Sequence, residues 1–156
     1  MTSTASRRTW LEVFKRGEGH PARGGWAETL GGVRIRSVGE GHVEMEMDMD
    51  ERHHQPNAVV QGGIVAALAD AAMGMAGMTI QEVGWANTTV EMKINFIRPV
   101  IRGTVVAEGR VVRAGRTLIF TEATVTNSEG KLAAKATSSV LTFKMPAREH
   151  PRAEVG

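Results

Sequence analysis

A chain of 156 residues with a formal net charge of +2 is the size of one domain that can bury a substantial core, which argues against a second domain. Its sequence pI of about 9.4 does not mark a nucleic-acid binder. With neither Cys nor Tyr present, nothing titrates between His and Lys, so the charge stays nearly flat from about pH 7 to 10. The lack of cysteine also excludes disulfides and thiolate chemistry, and fits a reducing compartment.

Residues 10–15 (Trp-Leu-Glu-Val-Phe-Lys) predict a short amphipathic helix, and Gly17, Gly19, Pro21, Gly24 and Gly25 predict a flexible connection. The N-terminal region holds no apolar run long enough for a signal peptide, so the expected location is cytoplasmic. Residues 33–38 read as a strand and Gly39-Glu40-Gly41 as a turn. Residues 42–49 then alternate strictly, with Val43, Met45, Met47 and Met49 on one face and Glu44, Glu46 and Asp48 on the other. Such an acidic row is a solvated face rather than a metal site, and no metal is expected.

From Gly62 to about residue 79 the residues are small or unbranched and apolar, mostly strong helix formers. The most apolar stretch, 64–80, is shorter than the roughly 20 residues of a membrane span. Asp70 interrupts it, and no membrane span is expected. This helix has almost no polar face, so it must be covered on most sides. Four further strands follow at 88–97, 104–112, 117–127 and 131–143. Arg98-Pro99 with Gly103, Ala114-Gly115 and Ser128-Glu129-Gly130 supply turn chemistry between them. The order predicts an α+β fold: about six antiparallel strands, the last four as a meander, curved around one long central helix. The expected division is a short helix and linker at 1–29, the main domain at 30–144 and a flexible polar tail at 145–156.

Asp70 stands out because a carboxylate in an apolar helix is costly to bury unless paired, hydrogen-bonded or protonated. Desolvation prepares many catalytic carboxylates in this way, but a carboxylate can equally pin a loop from inside a core. On Asp70 alone neither is favoured. Gly62-Gly63 tips the balance, because a helix starting there offers free N–H groups and a positive dipole end to a developing oxyanion. Asp70 lies seven residues after Gly63, roughly 10 Å along the axis at about 1.5 Å per residue. An attacking atom must come within about 3–3.5 Å of the carbonyl carbon whose oxygen the amide holds. If the two act together, Gly63 comes from one subunit and Asp70 from its partner across a two-fold interface.

Gln61-Gly62-Gly63, followed by six residues and then Asp70, resembles the His-Gly-Gly to Asp/Glu motif of the hotdog-fold acyl-CoA thioesterases of the phenylacetate-degradation and hydroxybenzoyl-CoA types. The likeness extends through 89–100 (Thr-Val-Glu-Met-Lys-Ile-Asn-Phe-Ile-Arg-Pro-Val) and the Ala114-Gly115-Arg116-Thr117 turn, and covers about 30–143. The resemblance implies a hotdog fold and hydrolysis of a small aryl- or medium-chain acyl-CoA to free acid and CoA. It implies no metal and no cofactor beyond the coenzyme A of the substrate itself. The Gly63 N–H polarises the carbonyl, Asp70 acts as nucleophile or general base, Gln55 orients water or carbonyl, and Thr89 helps hold the water. Asn57 is an alternative to Gln55, while Gly62, Arg98, Arg116 and Thr117 are substrate contacts, the arginines suited to the phosphates of CoA. The implied assembly is a homodimer with shared sites, and beyond it a homotetramer.

Gln61 departs from the motif, standing where the family carries His; its amide can still donate a hydrogen bond, but it cannot change charge near neutral pH. His53-His54 precede Gln55, yet adjacent residues on extended backbone point apart, so a loop role is expected rather than a shared metal. The alternative is a non-catalytic acyl-CoA-binding protein of the same fold, against which Asp70, Gln55 and Gly63 together argue. A hydratase of this fold would want a His close behind the Asp, and none lies between His54 and His150.

Overall fold

The computed structural model describes residues 8–18 and 25–146. Within them lie three α-helices, α1 (Trp10–Lys15), α2 (Gly25–Thr29) and α3 (Gly62–Thr79), and six strands: β1 (Arg34–Gly39), β2 (His42–Met49), β3 (Trp85–Phe96), β4 (Gly103–Ala114), β5 (Leu118–Thr126) and β6 (Leu132–Lys144). The strands pair antiparallel in a single sheet of order β1-β2-β4-β5-β6-β3. α3 packs across β2, β4, β5 and β3. One sheet wrapped around one long helix is the hotdog fold.

Two expectations need correction. The last four strands are not one meander: β4, β5 and β6 are successive neighbours, but β3 pairs with β6 at the far edge. The cause is α3, which leaves β2 and crosses the sheet, so the chain re-enters at the opposite edge and β4 must return to the free side of β2. Gly25, expected in the linker, instead opens α2, whose Ala27 is fully buried. Gly19, Pro21 and Gly24 of the linker, and the tail beyond 146, lie outside the described residues.

The alternation of β2 is as expected, with Val43, Met45, Met47 and Met49 all at most 2% exposed. They meet Leu68, Ala69, Ala72, Met73 and Ala76 of α3, all fully buried. The outward acids are neutralised across the ladder, Arg34 bridging Glu46 and Asp48 at 3.0 Å each. Sheet and helix touch most closely at Gly109 on β4, where a Cβ would lie 2.3 Å from the Ala72 carbonyl oxygen. Only glycine allows the helix backbone to settle there. The C-terminal end of α3 is pinned by Thr79, whose hydroxyl donates to Ala76 O and accepts from the Gly41 N–H, both at 2.7 Å. A Thr9/Glu12 capping box starts α1, and Trp10 Nε1–H donates to Trp85 O at 2.7 Å, docking α1 beside the start of β3.

By length and composition α3 could cross a bilayer, but half of it is buried against the sheet, as a core helix must be. It is not covered on most sides, as its sequence demands. Gly63 is exposed and Ile64, Ala66, Ala67, Asp70, Ala71, Gly74 and Met78 are only partly buried, leaving a nearly apolar stripe open along the helix. The neighbouring edge strand β3 is open too, with Val90 59% and Phe96 55% exposed.

Candidate active site

The segment between β2 and α3 is tightly turned and held by its backbone. Asp50 caps the 3-10 turn Glu51–His53. Hydrogen bonding to the Arg52 guanidinium pushes its carboxyl down to about 2. His53 is buried and has no free nitrogen: Nδ1 accepts from the Asp50 N–H at 2.9 Å, and Nε2 donates to Leu30 O at 2.8 Å. His54 Nε2 donates to Ile101 O at 2.7 Å. The two rings thus serve the loop, as expected. Beyond them Gln55 N–H donates to Val59 O and Ala58 N–H to Gln55 O, closing a turn in which Ala58 takes a left-handed φ of 58°. Asn57 sits exposed at its tip.

Gln61 is the N-cap of α3, with no capping bond from its side chain. The loop is steadied instead by main chain, Gln61 N–H to His53 O and Val60 N–H to Val100 O, both 2.8 Å. A His at this position would therefore not be needed to hold the helix start. The Gly63 N–H has no acceptor among the described residues, and a Cβ at Gly63 would meet nothing within 4 Å. Gly62 differs: a Cβ there would come within 3.0 Å of the Phe96 ring. Gln55, Gly62, Val65, Phe96, Arg98 and Pro99 line one cleft of about 320 Å³ at this end of α3. Arg98 donates to Leu132 O at 2.5 Å while its side chain stays exposed.

Asp70 is half-buried rather than enclosed. Its Oδ1 accepts a 2.6 Å hydrogen bond from the Thr89 hydroxyl on β3. Thr89 spends its single proton on this bond, so toward a water it can act only through its lone pairs. Oδ2 of Asp70 receives no bond among the described residues. Because seven residues at about 100° each fall about 20° short of two turns, Gly63 and Asp70 share the open face of α3, about 10 Å apart.

Gln55, Gly62, Gly63 and Arg98 thus gather at the N-terminal end of α3, and Asp70 with Thr89 lies two turns along. Arg116 and Thr117 are elsewhere. Arg116 lines a separate cleft with Gln81, Trp85 and Thr142 at the C-terminal end, and the Thr117 carbonyl accepts from the Thr142 N–H. One chain does not bring all the expected arginines to one mouth. Met73 and Met75 belong to the core.

Asn87, which was not singled out in the sequence, also touches this region, donating to Gly74 O at 2.9 Å. Its signal was its spacing of two before Thr89, which puts both on one face of β3. A possible cation cluster of His42, Glu44 and Glu108 lies on the sheet away from the cleft, its ligand atoms within 4.8 Å of one another. The Glu108 carboxyl is held below the usual range mainly by its hydrogen bond with His42, and Arg110 also pairs with it.

One antiparallel sheet wrapped around one long helix is the architecture of the hotdog-fold thioesterases. The chain belongs to the thioesterase superfamily, whose family model matches residues 57–134. It is similar to acyl-coenzyme A thioesterase 13 of Homo sapiens, 33% identical over 108 residues that cover 68% of this chain and 76% of that protein. Among solved structures it is similar to a phenylacetic acid degradation-related protein of Ralstonia eutropha JMP134, with TM-score 0.75 and 28% identity over 85% of this chain and 99% of that one. It is also similar to smu.793 of Streptococcus mutans UA159, solved bound to acetyl CoA, with TM-score 0.67 and 26% identity over 72% of this chain and 89% of that one.

Proposed function

We propose that this enzyme hydrolyses a small aryl- or medium-chain acyl-CoA, with Asp70 as general base and the Gly63 N–H as oxyanion donor contributed by different subunits of a homodimer. One observation carries this: an unpaired N–H at Gly63 and a half-held carboxylate at Asp70 share the open face of one unbroken helix, too far apart to serve one carbonyl. A two-fold axis passing near Ala66 and Ala67, midway between them, would set Gly63 of one α3 beside Asp70 of its antiparallel mate. Both alanines are small enough for close approach. The unpaired edge of β3 and its exposed apolar side chains support the same association, since a long edge strand left open is a liability.

In the proposed step, Asp70 Oδ2 takes a proton from water as the water oxygen attacks the thioester carbon. The carbonyl electrons move onto oxygen and are held by the Gly63 N–H. Collapse of the tetrahedral intermediate breaks the C–S bond, and the leaving thiolate takes the proton from Asp70. Thr89 keeps Oδ1 occupied, so that Oδ2 is the oxygen presented. The names of the human relative and of the acetyl-CoA-bound neighbour support a CoA ester as substrate. A cleft of about 320 Å³, at the small end of ligand pockets, favours the small aryl group over the medium chain. Arg98 lines the same cleft and its guanidinium suits a CoA phosphate, and Gln55 beside it would orient the carbonyl or the water.

The test is CoA release from aryl and straight-chain acyl-CoAs. Asp70→Asn should lower kcat by about 10²–10⁴, the usual worth of a positioned base. Tight acyl-CoA binding without turnover by the wild type would establish the non-catalytic alternative. Single turnover in ¹⁸O-water tests for a nucleophile: label in the Asp70 carboxylate would require an acyl-enzyme anhydride opened at the Asp70 carbon and would overturn the base assignment. Mixed dimers of Asp70→Asn and Gly63→Pro subunits should regain one intact site, and no recovery despite proven exchange would defeat the shared site.

A further inference from the structure

Besides the Thr89–Asp70 bond, a second polar tie joins α3 to β3, and its spacing is informative. Thr89 Oγ1 reaches Asp70, and Asn87 Nδ2 reaches the Gly74 carbonyl oxygen at 2.9 Å. The two helix anchors are four residues apart, about 6 Å at about 1.5 Å per residue. The two strand anchors are two residues apart, about 6.6 Å at about 3.3 Å per residue. The spacings agree to within about 1 Å, so both ties form together in only one register of β3 along α3.

We propose that Asn87 is a positioning residue: its tie to Gly74 fixes β3 against α3 so that the Thr89 hydroxyl stays on Asp70 Oδ1. β3 needs such a tie because within one chain it pairs, among the described residues, with β6 alone, and the β3–β6 register slips between Thr89 and Glu91, immediately after the residue that must be held. A bulge of this kind weakens the ladder locally and re-aims nearby side chains. The helix is shaped to admit the amide. A Cβ on Gly77 would lie 2.8 Å from Asn87 Nδ2, and one on Gly74 would lie 3.6 Å from its Oδ1. The Gly74 carbonyl gains nothing essential from the bond, since a helix interior already supplies it a main-chain donor. The tie therefore matters for where β3 sits. Loss of Asn87 frees Thr89 to leave Asp70, so that the carboxylate no longer presents a single fixed oxygen.

This rests on the assignment of Asp70 as the base, and the experiment separates the two. CoA-release kinetics per folded molecule are measured for Asn87→Ala, Thr89→Val, the double variant, Gly77→Ala and Asp70→Asn, with melting temperatures in parallel. Asn87→Ala should lower kcat about tenfold, as expected for a sub-ångström loss of positioning, with KM within about twofold. The double variant should be no slower than Thr89→Val, because Asn87 acts only through Thr89. Gly77→Ala keeps the amide but displaces it, and gains helix propensity that guards against unfolding; it should follow Asn87→Ala. The proposal is overturned if the two losses multiply, or if Asn87→Ala lowers the melting temperature while kcat per folded molecule is unchanged. An inactive Asp70→Asn beside a fully active Asn87→Ala would defeat the positioning role alone, whereas an active Asp70→Asn would defeat the base assignment itself.

Discussion

Gly109→Ala tests the account of how the sheet sets the helix. The added methyl would lie 2.3 Å from the Ala72 carbonyl oxygen and 2.8 Å from the Met73 nitrogen, both main-chain atoms of α3. A side chain could rotate away, but a helix backbone must shift as a body, by about 1 Å to restore ordinary contact. Overpacking of a dense core typically costs 1–3 kcal/mol, and the rigid partner places this case at about 3 kcal/mol or above. For a chain of this size each kcal/mol lowers the melting temperature by roughly 2–4 °C, so a fall of about 6–12 °C is expected in thermal unfolding. The shift moves α3 bodily, Asp70 and Gly63 with it, and CoA release should fall alongside stability even well below the transition. A melting temperature within 1–2 °C of wild type would refute the close approach, because no side chain is available to absorb the methyl.

Gly63→Ala should behave in the opposite way. Its methyl meets nothing among the described residues, so stability should hold or rise by up to about 1 kcal/mol, while turnover should drop because the methyl intrudes where the proposed thioester would lie; the N–H is retained, so an equally active variant would count against that placement of the substrate. Asp50, whose carboxyl is pushed down to about 2 by Arg52, is depressed in the folded state. Its contribution is complete above the ordinary carboxylate range and is lost as pH falls from about 4 to 2. Wild type should therefore lose more melting temperature than Asp50→Asn over that window, and parallel curves would dismiss the ion pair. Ala58, held at a φ of 58°, is strained for an L-residue, and Ala58→Gly should raise stability by up to about 1 kcal/mol. A drop in melting temperature would show that the methyl packs favourably.

Element types were largely legible because they depend on local periodicity. The two-residue alternation of Val43 to Met49 identified β2 with its boundaries, and the run of small apolar residues identified α3 to its last turn. Strand ends were less sharp: β3 begins at Trp85 rather than near 88, because an edge strand can extend wherever β6 offers a partner. α2 was missed because Gly25 reads as a linker residue and five residues carry too little period to outweigh it.

The candidate site divides along the same line. Spacing within α3 set Gly63 and Asp70 about 10 Å apart along the axis, since a helix fixes axial distance by residue count alone. Nothing local indicated that Thr89 donates to Asp70, that Asn87 reaches Gly74, or that Arg98 and Arg116 open onto different clefts. These depend on β3 lying beyond β6, a consequence of α3 carrying the chain across the sheet. The sequence by itself thus determined most of the helices and strands and the axial spacing of Gly63 and Asp70 on α3. Tertiary structure alone decided strand order and therefore every contact between α3 and the edge, because pairing partners far apart in the chain are chosen by packing, and periodicity contains no record of that choice.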